Sequence, residues 1–270
     1  MRVALIQFNA SADKSSNVKR ACGLAARALS QGAQFVALPE MFHWRGQAAG
    51  RLAAAENIPG PSTDPFLVLA RQYRAHILLG SVLEKSSDPH KAHNTSVLIG
   101  PKGTVEAKYR KIHLFEARLG DKIVHEADAY VPGRTTVVHR VEGFRLGLSI
   151  CYDLRFGDLY RKLADKGANV LAVPSCFMQE TGKAHWEVLL RARAIETLSY
   201  VLAPNQVGKD ARGMPAFGHS MIVSPWGEVL ARGSGGREGI VTTKITMDVI
   251  RQAREKLPSI IRGKKHVTKN

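Results

Sequence analysis

The stretch that decides the interpretation of this chain reads FRLGLSI at residues 144–150 and CYDLRF at residues 151–156. Its apolar first part predicts a β-strand, and the second part predicts a turn into a helix with Cys151 at the turn. Such a turn places the thiol at the end of a sheet, beside backbone N–H groups of a helix start. The pattern therefore predicts a nucleophilic cysteine with groups that stabilise an oxyanion close by.

Two earlier segments carry groups that such a cysteine needs. Glu40 follows the buried-strand pattern FVALP at residues 35–39, and Lys111 lies in the run KYRKIH at residues 108–113. A thiol that attacks a C–N bond needs a base, a positive group for the oxyanion and an acid for the departing nitrogen. These residues together predict a cysteine-dependent hydrolase.

Each group has a chemical role in that prediction. Glu40 could act first as base and then as acid, while Lys111 and the backbone N–H of Tyr152 could stabilise the oxyanion. Glu126, in the sequence HEAD at residues 125–128, could hold Lys111 and orient a water molecule. Any one of these residues alone is weak evidence, because a lone Glu or Lys is usually a solvated surface residue.

Strand and helix patterns alternate along the chain and repeat in its second half. Strands are predicted at Val3–Phe8, Phe35–Leu38, Ile77–Leu83, Asn94–Ile99, Val105–Tyr109, Arg145–Ile150, Val170–Pro174, Tyr200–Ala203, Ser220–Val223, Glu228–Ala231 and Ile240–Ile245. Helices are predicted at Asn17–Ser30, Asp64–Arg74, Asp158–Lys166 and Trp186–Thr197, and the stretch after Phe115 is predicted to be mostly irregular.

The repeat predicts an α/β fold in which two sheets pack face to face with helices outside, a four-layer α-β-β-α sandwich. We expect one domain over residues 1–258 and a basic C-terminal tail over residues 259–270. No apolar stretch approaches the roughly 18 residues that span a bilayer. The first residues predict a strand rather than a signal peptide, so we expect a cytoplasmic protein that does not contact membranes.

The net charge of +16 raises the possibility of a nucleic-acid partner. Residues 251–270 contain seven basic residues and one acidic residue, so +6 of this net charge comes from the end of the sequence. The aromatic fraction is 7%, and no aromatic residues alternate with the basic ones as base stacking requires. We therefore expect no nucleic-acid partner and expect the charge to attract a small anionic substrate.

The cysteines and histidines predict neither disulfides nor metal binding. Cys22, Cys151 and Cys176 are odd in number and widely spaced, and no C-x-x-C pair occurs. Cys22 is expected in a helix core, and Cys176 is expected to be structural or to line the site. His113 and His125 have no histidine partner at helical spacing, so no metal or other cofactor is expected.

Three sequence blocks resemble the signatures of the nitrilase superfamily of carbon–nitrogen hydrolases. They are LPEMF at residues 38–42, YRKIHLF at residues 109–115 and ICYDLRF at residues 150–156. The resemblance implies a four-layer sandwich, a Glu40–Lys111–Cys151 triad, and a second glutamate at Glu126. It also implies a homodimer and chemistry that needs no cofactor.

Within that superfamily, further segments resemble the Nit-type amidases, which act on deaminated glutathione and other 2-oxo acid amides. They are TGKAHWE at residues 181–187, LRARAIE at residues 190–196 and FGHSM at residues 217–221. The resemblance implies that Arg155, Phe177 and Thr181 contact the substrate near Tyr152. Arg155 could clamp a substrate carboxylate, or it could form an ion pair with Asp153 or Asp158 that only braces the turn.

Some segments depart from this branch, and other functions stay open. Residues 156–159 read FGDL where the branch usually has Pro-Glu-Leu after the aromatic residue, and residues 116–121 lack its usual acidic loop. A nitrilase or an N-carbamoyl amino acid amidohydrolase of the same superfamily is the alternative. A more distant one is a basic binding protein that retains the fold without catalysis.

Overall fold

The computed structural model describes residues 1–119 and 122–259, and two six-stranded sheets form its centre. The strands of the described residues are β1 Arg2–Gln7, β2 Phe35–Ala37, β3 His76–Lys85, β4 Ala92–Ile99, β5 Val105–Arg110, β6 Glu116–Leu119, β7 Lys122–His125, β8 Val138–Val141, β9 Phe144–Leu148, β10 Val170–Ala172, β11 Tyr200–Ala203, β12 Val207–Lys209, β13 Pro215–Phe217, β14 Met221–Val223, β15 Val229–Arg232 and β16 Gly239–Lys244. The helices are α1 Lys14–Ser30, α2 Arg51–Ala54, α3 Asp64–Tyr73, α4 Gly157–Asp165, α5 Gln179–Thr197 and α6 Met247–Lys256.

The two sheets have the same internal order, which explains the repeat in the sequence. The first sheet runs β16-β1-β2-β3-β4-β5, and the second runs β15-β14-β11-β10-β9-β8. Each sheet has three neighbouring parallel strands. Two strands extend the sheet on one side of these three and one strand on the other, and each of the added strands pairs antiparallel with its neighbour. The predicted repeat of the two halves is therefore confirmed, and β16 returns from the second half to complete the first sheet.

The inner faces of the two sheets pack against each other and form one core. Leu5 and Leu78 of the first sheet belong to the same buried cluster as Leu146 and Leu148 of the second. Helices α1 and α3 cover the outer face of the first sheet, while α4 and α5 cover the second. Apolar burial on both faces of each sheet stabilises this arrangement, and the predicted four-layer sandwich is confirmed.

Helix α1 shows how the sequence forms these outer layers. The side chain of Asp13 caps its first turn by accepting a hydrogen bond from the N–H of Ser16 at 3.0 Å. Small residues at Ala21, Ala25 and Ala28 recur at helical spacing and are buried against the sheet, so the helix lies close to it. The helix begins at Lys14, three residues before the predicted start.

Three predictions about secondary structure were wrong or incomplete. The stretch after Phe115 contains the hairpin β6–β7 and the strand β8, whose short and partly charged sequences carry little periodic signal. Helix α5 begins at Gln179, seven residues before the predicted Trp186, because its first turns are polar and lack an apolar period. Helix α6 was not predicted. Of the predicted basic tail, residues 260–270 lie outside the described residues.

The sheets bring the ends of several strands to one edge of the sandwich. Glu40 follows β2, Cys151 follows β9, Cys176 follows β10 and Lys111 follows β5. The C-terminal ends of parallel strands commonly form binding sites, because the loops that follow them converge there. Within the described part of the chain, no helix is long and apolar enough to cross a bilayer.

Candidate active site

A cavity of about 530 Å³ opens at this edge. All eight residues that the sequence singles out line it, namely Glu40, Lys111, Glu126, Cys151, Tyr152, Arg155, Phe177 and Thr181. They come from both halves of the chain, so neither half alone contains the complete cavity.

Cys151 begins a 3₁₀ turn, Cys151–Arg155, and two residues separate it from the end of β9. Its backbone has φ of 47°, in the left-handed region that a non-glycine residue occupies only at a cost. Its N–H donates to the carbonyl oxygen of Pro174 at 3.0 Å, which ties the turn to the neighbouring strand. The predicted turn is therefore present, whereas the full helix α4 begins only at Gly157.

The surroundings of Cys151 disfavour the thiolate form of its side chain. Burial raises its pKa well above the ordinary value, and the charge of Glu40 raises it further. The charge of Lys111 and the backbone N–H of Cys176 act in the opposite direction without cancelling the rise. A thiol with a raised pKa needs a base when substrate arrives, and a buried carboxylate beside it can fill that role.

Glu40 owes its position to a close approach between its loop and β3. A Cβ atom at Gly80 would lie 2.0 Å from the carbonyl oxygen of Leu38, so only glycine allows this contact. The N–H of Met41 donates to Oγ of Ser81 at 2.9 Å and anchors the other side of Glu40. The loop therefore presents the carboxylate to the cavity from a rigid sheet.

The carboxylate of Glu40 is almost completely buried, and both of its oxygens accept hydrogen bonds. Oε1 accepts from Nδ2 of Asn94 at 2.8 Å and from Nζ of Lys111 at 3.1 Å, while Oε2 accepts from the N–H of Cys176 at 2.9 Å. Three donors fix its orientation and stabilise its charge. Asn94 was not predicted, because its contact with Glu40 spans two strands of the sheet.

Lys111 is 1% exposed and lies between two carboxylates. Its Nζ is 3.1 Å from Oε1 of Glu40 and 2.9 Å from Oε2 of Glu126. Burial lowers its pKa, but Glu126, Glu40 and Cys151 more than reverse this effect and leave the pKa well above its ordinary value. The ammonium group therefore stays charged at all physiological pH values and is positioned to stabilise an oxyanion.

Glu126 begins a short 3₁₀ turn after β7 and connects the hairpin to Lys111. Its Oε2 also accepts the backbone N–H of Phe115 at 2.7 Å, while its own N–H donates to the carbonyl oxygen of Phe115 at 2.8 Å. This reciprocal pair holds the base of the hairpin beside the cavity. The segment predicted to be irregular therefore positions one of the predicted site residues.

Asp153 is fully buried under the nucleophile turn and braces it. Its carboxylate accepts from the hydroxyl of Tyr109 at 2.6 Å, the N–H of Ile150 at 2.9 Å, and both the N–H and Nδ1 of His113 at 3.0 and 2.7 Å. It thus links the turn at Cys151 to the segment around Lys111. Sequence reasoning considered Asp153 only as a partner of Arg155.

Arg155 contacts neither of the acids that the bracing interpretation requires. In the described residues no ion pair joins it to Asp153 or Asp158, and its Nη1 lies 3.3 Å from Nδ1 of His185. Its guanidinium carbon lies 5.3 Å from the centre of the Phe177 ring. This geometry leaves its charge available on the cavity wall, as the clamp interpretation needs.

Further cations line the cavity that the sequence did not single out. Arg51 lies with its guanidinium carbon 5.2 Å from the centre of the Tyr130 ring, and Arg212 forms an ion pair with Asp210 at 2.7 Å. Arg45 is buried and also lines the wall. Throughout residues 1–119 and 122–259, no group of three or more His, Cys, Asp and Glu residues is placed to hold a metal ion.

The sequence profile of the carbon–nitrogen hydrolase family matches residues 2–255. The chain belongs to this family, and its reaction is the hydrolysis of a carbon–nitrogen bond other than a peptide bond. Within the family it falls in the Nit branch of the nitrilase superfamily, as the resemblance implied.

Two relatives illustrate this position. The chain is 40% identical to omega-amidase NIT2 of Homo sapiens over 258 residues, which cover 95% of this chain and 92% of the relative. It is 38% identical to a deaminated glutathione amidase of Synechocystis over 262 residues, which cover 95% of this chain and 96% of the relative.

Solved structures give the same result for the fold. The Saccharomyces cerevisiae Nit3 structure, a member of branch 10 of the nitrilase superfamily, superposes with a TM-score of 0.86 at 30% identity and covers 96% of this chain and 94% of its own. The C. elegans NitFhit structure gives a TM-score of 0.90 at 33% identity, covering 95% of this chain and 63% of its own.

Proposed function

We propose that the chain is an amidase that hydrolyses small anionic 2-oxo acid amides through a thioester on Cys151. The observation that carries the proposal is the convergence of Cys151, Glu40 and Lys111 in one cavity, with Glu40 and Lys111 in direct contact. The names of its relatives, omega-amidase and deaminated glutathione amidase, support the substrate class.

In the first half of the proposed reaction, Glu40 removes the thiol proton and the sulfur of Cys151 attacks the amide carbon. Lys111 and the N–H of Tyr152 stabilise the oxyanion that forms on the carbonyl oxygen. Protonated Glu40 then gives its proton to the amide nitrogen, the C–N bond breaks, and ammonia or an amine departs. The acyl group remains on sulfur as a thioester.

In the second half, Glu40 removes a proton from water, and the resulting hydroxide attacks the thioester carbon. The oxyanion is again stabilised by Lys111, the C–S bond breaks to release the carboxylic acid, and protonated Glu40 returns its proton to the sulfur to regenerate the thiol. Glu126 keeps Lys111 in position, since their atoms are 2.9 Å apart. No step requires a metal or an organic cofactor.

The charge of the cavity supports an anionic substrate. Glu40, Glu126 and Lys111 together carry one net negative charge, and Arg212 is paired with Asp210. Beyond these, Arg45, Arg51 and Arg155 each add a positive charge to the wall. A substrate carboxylate would therefore enter a region with a positive balance, and Arg155 is the group closest in sequence to the nucleophile.

The test is the release of ammonia or amine from deaminated glutathione, 2-oxoglutaramate, a simple nitrile and an N-carbamoyl amino acid. We expect turnover of a 2-oxo amide that is lost in Cys151→Ala and blocked by iodoacetamide. Cys22→Ala is the matched control, because Cys22 lies in α1 away from the cavity, and it should keep both the activity and the iodoacetamide sensitivity.

The other outcomes identify the alternatives. Turnover of only the nitrile or the carbamoyl compound would assign the enzyme to another activity of the superfamily and refute the substrate class. Affinity for nucleic acid that survives alkylation and falls steeply with salt would instead favour a binding protein on the same fold. Absence of Cys151-dependent turnover on all four compounds would remove the substrate assignment.

We also propose that the protein is a cytoplasmic homodimer that pairs through its outer helices near the nucleophile. Val188 is 66% exposed and Ile195 is 44% exposed on α5, which gives this helix an apolar surface suited to a partner. Light scattering should give twice the chain mass for the wild type and a lower mass for Val188→Glu. A monomeric wild type at micromolar concentration would contradict the proposal.

A further inference from the structure

Arg45 is a buried cation on the cavity wall that has no acidic partner. It is 7% exposed. Its backbone N–H donates to the carbonyl oxygen of Ser11 at 2.8 Å, and Nη1 of its guanidinium donates to Oδ1 of Asn9 at 3.2 Å. Across the described ranges of the chain, no carboxylate lies within 4.0 Å of its guanidinium. Burying a charged group without a counter-ion costs free energy, so such a group commonly serves a ligand.

The nearby acid Asp210 is already satisfied by other groups. Its Oδ2 accepts from Nε and Nη2 of Arg212 at 2.9 and 2.7 Å, and its Oδ1 accepts the N–H groups of Arg212 and Met214. Burial raises the pKa of Asp210, but these bonds more than reverse the effect and lower it. Asp210 and Arg212 therefore neutralise each other, and the charge of Arg45 remains uncompensated.

Arg45 lies on the side of the cavity that Glu40 occupies. The two residues belong to one short segment, and the carbonyl oxygen of Arg45 accepts the N–H of Ala211 at 3.3 Å. Cys176, whose N–H binds Glu40, also connects them: burial raises the pKa of its thiol, and Arg45 is the strongest influence that lowers it. Arg45 and Glu40 line the same cavity, so Arg45 is available to a group carried on the departing nitrogen.

Arg155 belongs to a separate part of the wall. Its contacts are His185, Tyr152 and Phe177, and none of these is a contact of Arg45. A substrate with one carboxylate on its acyl part and another on its amine part could pair each with its own arginine. A primary amide has no second carboxylate to bring to Arg45.

We propose that Arg45 binds a carboxylate carried by the leaving amine, so that the enzyme prefers 2-oxo amides of amino acids or short peptides to primary amides. The inference rests on the proposed function and goes beyond it, because it specifies the amine part of the substrate. A hydrogen-bonded arginine–carboxylate pair in a cavity of this kind is worth roughly ten- to a hundredfold in kcat/KM.

The test compares two substrates that share one acyl group and differ by one charge. They are the 5-amides of 2-oxoglutarate with glycine and with glycinamide, and kcat/KM is measured from the released amine. We expect the wild type to prefer the glycine amide by about tenfold or more. Arg45→Gln should reduce this ratio to near one, while Arg45→Lys should keep part of it.

The ratio of the two kcat/KM values does not depend on the folded fraction of a variant, because both substrates are assayed with the same enzyme sample. Arg134→Gln is the matched control, since Arg134 is exposed and outside the cavity, and it should keep the wild-type ratio. Equal kcat/KM for both amides in the wild type, or a preference that survives in Arg45→Gln, would overturn the inference.

The result also separates this inference from the proposed function. If the wild type hydrolyses 2-oxoglutaramate but neither substituted amide, the amidase stands and the role of Arg45 is refuted. If no 2-oxo amide is hydrolysed, the proposed function itself fails, and the inference that depends on it fails as well.

Discussion

The backbone N–H of Cys176 donates a 2.9 Å hydrogen bond to Oε2 of Glu40 and so joins the two sheets at the candidate active site. Cys176 follows β10 of the second sheet, whereas Glu40 follows β2 of the first. The same N–H also lowers the pKa of the Cys151 thiol, against the larger effect of burial. One donor is therefore positioned to stabilise charge on both the proposed base and the proposed nucleophile.

Replacing Glu40 with Gln should abolish turnover while preserving the fold. The amide oxygen can still accept the bond from Cys176, but the side chain can no longer take a proton from the thiol. We expect kcat to fall by ~10²–10⁴-fold or more, as for the loss of a general base. Steady-state kinetics and thermal unfolding would check this, and near-wild-type turnover would show that Glu40 is not the base.

Lys111→Met should reduce kcat by at least the ~10²-fold that the loss of one oxyanion donor typically costs. It should also destabilise the protein, because Glu40 and Glu126 would face each other without the cation between them. Breaking a buried ion pair by removing one partner costs about 3–5 kcal/mol. Urea unfolding with and without the substitution measures this cost, and an unchanged free energy would contradict the buried network.

Arg155→Lys should raise KM for anionic amides more than for neutral ones. Lysine retains the charge but loses the planar pair of donors that binds both oxygens of a carboxylate. The comparison needs two amides of similar size, one with a carboxylate and one without. An equal change in KM for both would refute the clamp interpretation.

Asp153→Asn should destabilise the nucleophile turn, because an amide accepts fewer hydrogen bonds than a carboxylate. Each carboxylate oxygen accepts two of the four bonds from Tyr109, Ile150 and His113, so the amide nitrogen would leave two donors without an acceptor, at a cost of about 1–3 kcal/mol each. We expect a lower unfolding midpoint and reduced kcat. Asp158→Asn is the exposed control and should leave both unchanged, so equal effects would deny Asp153 this bracing role.

The stability of the protein should fall as pH decreases below about 6.5, in part because of His43. Burial, together with the charge of Lys14, lowers the pKa of His43 to about 3 from an ordinary 6.5. The unfolded chain therefore binds a proton in this window and the folded chain does not, which favours unfolding as pH falls. At pH 5 this group alone costs roughly 2 kcal/mol.

His43→Gln should flatten that dependence, since glutamine does not titrate. Its amide oxygen can replace Nε2 of His43, which accepts the N–H of Leu83 at 3.2 Å. The check is the free energy of unfolding in urea at pH 7 and pH 5 for both proteins. A difference between the two pH values that is the same in the variant would exclude His43 as its source.

Sequence reasoning selected residues that the fold brings to one cavity where local patterns mark them. Glu40, Lys111 and Cys151 each follow a strand whose apolar residues are recognisable, and the sandwich follows from the repeat of such strands. Asp153 and Asn94 could not be assigned in this way, because their partners are distant in sequence. A buried acid beside a nucleophile is visible in the sequence only as one more charged residue.

The cavity wall shows a second limit of sequence reasoning. Arg45 was not distinguished from the other basic residues, since neither its burial nor its lack of an acidic partner is visible in a sequence. The hairpin that places Glu126 was also missed, because its strands are short and do not alternate regularly between apolar and polar residues. Both features arise where segments from several parts of the chain meet.

The antiparallel pairing of β1 with β16, from Arg2 with Lys244 to Gln7 with Gly239, sets the order of events during synthesis. Because β1 is synthesised well before β16, its outer edge stays uncovered until the later strand has been made. An uncovered strand edge invites pairing with other chains, so the nascent protein depends on this late strand or on a chaperone for protection. A ribosome halted before residue 239 would therefore carry every proposed catalytic side chain and still hold an unfinished first sheet.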